Sequence, residues 1–178
     1  VEIKTAEQIR LMRRAGLVTA EGLRAMGAAV RPGVTTAELD RIGRRVLAEE
    51  LREGELLSDP QAAAAFLRLQ LGHERVEVSL ALLLNSRNRL IDCVELARGT
   101  VAENAVYVRE VVKLALDRYA AALILAHNHP GGSPEPSEAD IAFTGRLKQA
   151  LELVDVRLLD HFVITAQRAV SFAERGLV

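Results

Sequence analysis

The chain is predicted to fold as an α/β (α+β) protein, a mixed β-sheet flanked by helices, with a helical hairpin at its N-terminus. Three observations predict it. Over the first 50 positions apolar residues recur at three- and four-residue steps, the spacing of one face of a helix. From residue 76 the pattern changes to strand-like runs. Residues 121–126, AALILA, then form an unbroken apolar run of strand length, as expected of a central strand covered on both faces. The resulting order, β-β-α-β-α-β-β, is that of a sandwich built around a mixed sheet.

Each element follows from its local residues. Thr5 with Gln8 forms a capping box, and Ile9, Met12, Gly16, Ala20, Leu23, Met26 and Val30 make one stripe. Arg31-Pro32-Gly33 ends that helix. Thr35 with Glu38 opens a second, striped by Leu39, Ile42 and Val46. Residues 1–50 are therefore expected to be a helical hairpin, residues 51–57 a joint, and residues 58–178 the main domain. Ser58-Asp59-Pro60 caps a short helix through Leu69. Residues 76–84 read as a strand, 85–88 as a turn and 89–96 as its hairpin partner. Residues 109–119 read as an amphipathic helix facing inward through Val112, Leu116 and Tyr119. A Gly/Pro loop, 130–136, precedes a helix over 137–153, and 156–165 and 169–172 are the last strands.

Composition narrows the function. Length sets one domain with an appendage, and a chain of 178 residues can bury roughly 70% of its unfolded surface. The charge is nearly balanced, 23 Lys+Arg against 24 Asp+Glu, which argues against a phosphate-driven nucleic-acid surface. Aromatic residues are 3% of the chain and Trp is absent, so base-stacking platforms are not expected. The lone Cys93 excludes an intrachain disulfide and a cysteine-based zinc knuckle. No apolar run reaches the length of a membrane span, and the polar N-terminus does not read as a secretory signal, so a cytoplasmic protein is expected.

The chemistry is carried by the end of the central strand, His127-Asn128-His129-Pro130. Side chains alternate along a strand, so His127 and His129 share a face. Asp140, on the first turn of the next helix, can return to that strand end. Two imidazoles and one carboxylate leave a fourth tetrahedral position for water, the pattern of a catalytic zinc, which lowers its water's pKa towards about 7. Plainer readings stand beside this one. A single His-x-His is a weak signal. Ser137-x-x-Asp140 is also a capping box that needs no metal. His161 and His73 read as structural histidines. Glu77, on an otherwise apolar strand, is costly without a partner, and a base beside a metal-bound water would have one.

Taken together, Glu77, His127-x-His129-Pro130 and Pro136-Ser137-x-x-Asp140 resemble the JAMM motif of the MPN/JAB metalloprotease superfamily. Residues 57–178 more closely resemble the bacterial RadC family, through GHERVEVSLALLLNSRNRLI, RGT, YVREVVKLAL, AAALILAHNHPGG, PEPSEADIAFTGRLKQAL, VRLLDHFVI and SFAERG. The resemblance implies an MPN/JAB-like, cytidine-deaminase-like sandwich. It implies Zn2+ held by His127, His129 and Asp140, with Glu77 as the acid/base and Ser137 helping to stabilise an oxyanion. Two positions depart from the usual RadC pattern: Gly131 stands for Ser and Val108 for Pro.

IKTAEQIRLMRRAG and VRPGVTTAELDRIG, within residues 2–47, are similar to the N-terminal helices of type I methionine aminopeptidases. That enzyme's metal ligands lie in a later domain with no counterpart here, and the RadC helix-hairpin-helix segment is not seen, so the chain reads as a chimera. The function expected is a zinc-dependent hydrolase acting on a peptide or protein substrate. The alternatives are a DNA-repair-associated RadC-type role and a non-catalytic scaffold. A homodimer through the N-terminal helices is the expected assembly; neither a membrane nor nucleic acid is an expected partner.

Overall fold

A computed structural model describes residues 6–53, 60–99 and 106–178. The chain divides into two compact units that meet at residues 53 and 54. The first is a pair of helices, α1 (Ala6–Ala29) and α2 (Thr36–Glu53), packed on each other. The predicted box at the start of α2 is present: Glu38 N–H donates to Thr35 Oγ1 at 3.2 Å, and Thr35 N–H donates to Glu38 Oε2 at 3.0 Å. The box expected at Thr5 lies outside the described residues. The expected stripe of α1 needs correction. Gly22 is buried and Met26 half-buried, but Leu23 and Val30 are 61% and 63% exposed. At the seam the absent side chain of Gly43 makes room for Met26. A Cβ on Gly43 would lie 3.1 Å from Met26 Sδ.

The second unit is a five-stranded sheet flanked by helices, consistent with the JAB/MPN-like sandwich expected. Its described elements are α3 (Pro60–Leu71), β1 (Glu77–Leu84), β2 (Leu90–Gly99), α4 (Val108–Asp117), β3 (Ala122–Asn128), α5 (Glu138–Glu152), β4 (Arg157–Ile164) and β5 (Ala169–Ser171). The strands lie in the order β2-β1-β3-β4-β5. Only β3 and β4 are parallel, joined across α5; the other pairs are antiparallel. Leu123 and Leu125 of β3 and Ala81 and Leu83 of β1 pack with Val111 and Ala115 of α4 and Leu147 and Leu151 of α5. Leu80, Leu82 and Ile124, on the opposite pleat, are buried too, and α3 contacts β3, β4 and β5. This two-sided burial explains why β3 reads as an apolar run rather than an alternation.

The inward face of α4 is only in part the one expected, since Val112 packs against the core but Leu116 and Tyr119 do not. Val111 and Ala115 are fully buried, whereas Leu116 is half-exposed and Tyr119 is 90% exposed, beyond the helix in a left-handed conformation (φ 51°). Close packing against the sheet selected the smaller side chains. Val108 is the first helical residue of α4, after its N-cap Tyr107, a position that accepts proline equally well.

Candidate metal centre

The site sits at the C-terminal end of β3, where the start of α5 meets the sheet. In open α/β sheets this is where ligands bind. His127 lies within β3, so the strand runs two residues beyond the apolar run. His129 follows the strand but stays tied to the sheet, its N–H donating to Ile164 O of β4 at 2.9 Å. The chain then turns: Gly132 N–H donates to His129 O at 3.0 Å, with Gly132 at φ 83°, a conformation glycine adopts without strain. A Cβ on Gly131 would meet nothing within 4 Å, so the departure from Ser there leaves the site unchanged.

The structure brings His127, His129 and Asp140 together, with one ligand atom of each within 4.8 Å of the others. His127 Nε2 lies 3.0 Å from His129 Nε2 and 3.4 Å from Asp140 Oδ1, and His129 Nε2 lies 3.7 Å from Asp140 Oδ2. Zinc bonds of 2.0–2.1 Å at tetrahedral angles separate their ligands by about 3.3 Å, so the three donors fit such an ion. His127 is buried, but His129 and Asp140 keep 21% and 20% of their side-chain surface, which leaves an open side for water or substrate.

Asp140 is held by the capping box that the sequence also allowed. Ser137 N–H and Oγ–H donate to Asp140 Oδ2 at 2.8 and 2.6 Å, and Asp140 N–H donates to Ser137 Oγ at 3.1 Å. The two readings of Asp140 are thus compatible: one oxygen serves the cap while the other faces His127. Burial pushes the Asp140 carboxyl up, but the His127 and His129 imidazoles beside it, with the Ser137 hydroxyl, outweigh it and hold it well below the usual carboxylate range. The Asp140 hydrogen bond raises His129, against burial, with smaller contributions from Ser133 O and the charge of Glu77. A group of this kind, with electron-rich donor atoms of two rings and a carboxylate crowded together, is one a divalent cation would relieve.

Glu77 begins β1. Ser79 pairs with His127 in the antiparallel β1–β3 register, so two residues back Glu77 falls opposite His129 on the same face. Three residues that sequence reasoning leaves without a role complete the surroundings. His161, on β4, places Nε2 2.8 Å from His127 Nδ1, and Thr144 Oγ1 lies 2.6 Å from His161 Nδ1. Asn128 points away from the histidines. Its Oδ1 accepts from Val78 N–H at 2.7 Å, and its Nδ2 donates to Val76 O at 3.0 Å and Glu74 O at 3.3 Å. One amide thereby fastens the segment that carries Glu77 to the strand that carries the histidines. A signal exists for His161, a polar ring inside an apolar strand; Asn128 has none beyond its place between two histidines. Asn128→Ala is expected to keep metal binding but lower kcat by on the order of 10²-fold through misplacement of Glu77. Steady-state kinetics with metal analysis checks this.

His73 is exposed, and it is not in the metal-binding group. Among the described residues no helix is long and apolar enough to cross a membrane.

The profile of the RadC-like JAB domain matches residues 57–177. A UPF0758 protein of Neisseria meningitidis serogroup C (strain 053442) is 64% identical over 142 residues, 80% of this chain and 63% of its own length. A UPF0758 protein of Neisseria gonorrhoeae (strain NCCP11945) is 63% identical over the same length. One from Aromatoleum aromaticum is 56% identical over 138 residues, 77% of this chain and 61% of its own. The chain thus spans less than two thirds of these relatives. A 142-residue match cannot fit within residues 57–178, so the likeness reaches back into α2, further than the boundary expected at the joint. The resemblance of residues 2–47 to methionine aminopeptidases is not shown by these matches. With the profile covering most of the chain, the chain belongs to the RadC-like JAB domain family.

Proposed function

We propose that the chain is a zinc-dependent, JAMM-type metallohydrolase that cleaves peptide or isopeptide bonds. The observation that carries this reading is the convergence of His127, His129 and Asp140 at ligand spacing beside an open face. A bound zinc would supply Lewis acidity and a water ionised near neutral pH. The remaining work falls to side chains of this chain. Glu77, opposite His129 on the same face, takes the proton of the attacking water and returns it to the leaving amine. Ser137, whose hydroxyl proton rests on Asp140 Oδ2, turns that proton to the oxyanion that develops at the scissile carbonyl. Asn128 holds Glu77 in place.

Charge favours this reading over duplex binding, since 23 basic against 24 acidic residues leave no net attraction for phosphate. The helical pair formed by α1 and α2 is proposed to serve packing or the pairing of two copies rather than chemistry, in keeping with its exposed Leu17, Leu23 and Val30. The single Cys93 suits a cytoplasmic setting.

The test is cleavage of a peptide library and of isopeptide-linked protein conjugates by the purified chain, with and without chelator. Hydrolysis should cease on chelation and return when zinc is added back. Hydrolysis indifferent to a chelator that has removed the metal would overturn the proposal.

A further inference from the structure

The geometry points to His161 as a positioning residue that, together with Thr144, fixes the tautomer of His127 so that its Nε2 lone pair faces the metal position. The inference rests on the metal-centre reading above and deepens it.

The hydrogen-bond directions can be worked out from one end. Thr144 Oγ1 lies 2.6 Å from Asp140 O and 2.6 Å from His161 Nδ1. A carbonyl oxygen only accepts, so the single hydroxyl proton goes to Asp140 O. Thr144 Oγ1 must then accept, and the proton it accepts is on His161 Nδ1. His161 is 2% exposed. Its ring nitrogens meet Thr144 Oγ1 and His127 Nδ1 and no carboxylate, so a charge there would be buried without a counter-ion; the ring is neutral and Nε2 carries a lone pair. His161 Nε2 is 2.8 Å from His127 Nδ1. His127 Nδ1 therefore donates, and the lone pair of the His127 ring is left on Nε2. That atom is the one facing His129 Nε2 and Asp140 Oδ1.

His129 reaches the same state by a shorter route, its Nδ1 donating to Ser133 O at 2.9 Å. A backbone carbonyl fixes one ligand, and a buried relay fixes the other. The relay runs from Asp140 O through Thr144 and His161 to His127, so it begins on the backbone of one ligand and ends on the ring of another. The helix supplies its first step for free, because Thr144 lies one turn beyond Asp140. Phe172 holds the His161 ring in place, with centroids 4.4 Å apart and planes tilted by 31°. A wholly structural His161 would need that packing but not the hydrogen-bond polarity.

The decisive experiment uses the full chain and two readouts. Nitrogen NMR of the metal-free wild type should find the His127 proton on Nδ1. Zinc affinity, by competition with a chromophoric chelator, should fall about 10–100-fold in His161→Phe, the usual cost of losing a ligand's outer partner. His161→Gln, whose Oε1 can accept from His127 Nδ1–H, should recover most of that loss. Thr144→Ser should bind zinc as the wild type does, and Thr144→Val, of similar shape but without the hydroxyl, should bind it more weakly. A His127 proton on Nε2 in the wild type, or zinc affinity unchanged in a folded His161→Phe, would overturn the relay. If the wild type binds no zinc, the metal reading falls, and the tautomer of the metal-free protein still decides the relay by itself.

Discussion

His129→Ala is expected to lose its metal almost completely, taking occupancy from one zinc per chain to near none and hydrolysis to background. Three protein donors meet at this site, and removal of one leaves two, too few to hold zinc against water. The whole catalytic contribution of the metal goes with it, including the lowering of a bound water's pKa to about 7. His127→Ala should have the same effect on the metal but a different effect on the fold. His127 is buried and its Nδ1 answers His161 Nε2 at 2.8 Å, so its removal strands a polar atom in the interior. Such an atom costs about 1–3 kcal/mol. His129 is partly exposed; its loss leaves Ser133 O at the surface, while His127 Nε2 keeps Asp140 Oδ1 at 3.4 Å and Asp140 Oδ2 keeps Ser137. Urea denaturation of metal-free proteins should therefore show a lower midpoint for His127→Ala and little change for His129→Ala. Full zinc occupancy in a folded His129→Ala, measured by metal analysis, would contradict the assignment of the site.

Much of the fold and of this site is legible in the sequence, for identifiable reasons. The order of strands and helices agrees with expectation because β1 and β3 are dominated by Leu, Ile, Val and Ala and turn signals separate the strands. At the first hairpin, Asn85 Oδ1 takes the N–H groups of Arg87 and Arg89 while Asn88 adopts φ 56°. His127, His129 and Asp140 are legible because strand alternation and a helix start place them without knowledge of packing. What packing decides is not legible. The α1 stripe misplaces Leu23 and the α4 face misplaces Tyr119, because periodicity cannot show that Met26 packs on Gly43 or that α4 buries Val111 and Ala115. The relay is hidden for a similar reason. Thr144 and His161 are 17 residues apart and meet only once α5 lies over β4.

The second large effect is expected at Glu77. Glu77→Gln should leave zinc binding unchanged and lower the rate of hydrolysis by about 10²–10⁴-fold, the usual worth of a positioned acid/base. Gln keeps the length and the hydrogen-bonding capacity of Glu but cannot take up a proton. Zinc should stay because Glu77 is not among the three converging donors; it lies opposite His129 along the β1–β3 ladder. If the variant lost its metal, Glu77 would be a ligand and the division of roles would be wrong. A double-mutant cycle sharpens the test. Asn128 reaches the reaction only by fastening residues 74–78, so its effect on rate passes through Glu77. In the Glu77→Gln background, Asn128→Ala should lower the rate far less than it does alone, because contacting, coupled residues are not additive. Equal losses in both backgrounds would mean that Asn128 supports the site by some other route, such as the placement of the histidines on either side of it.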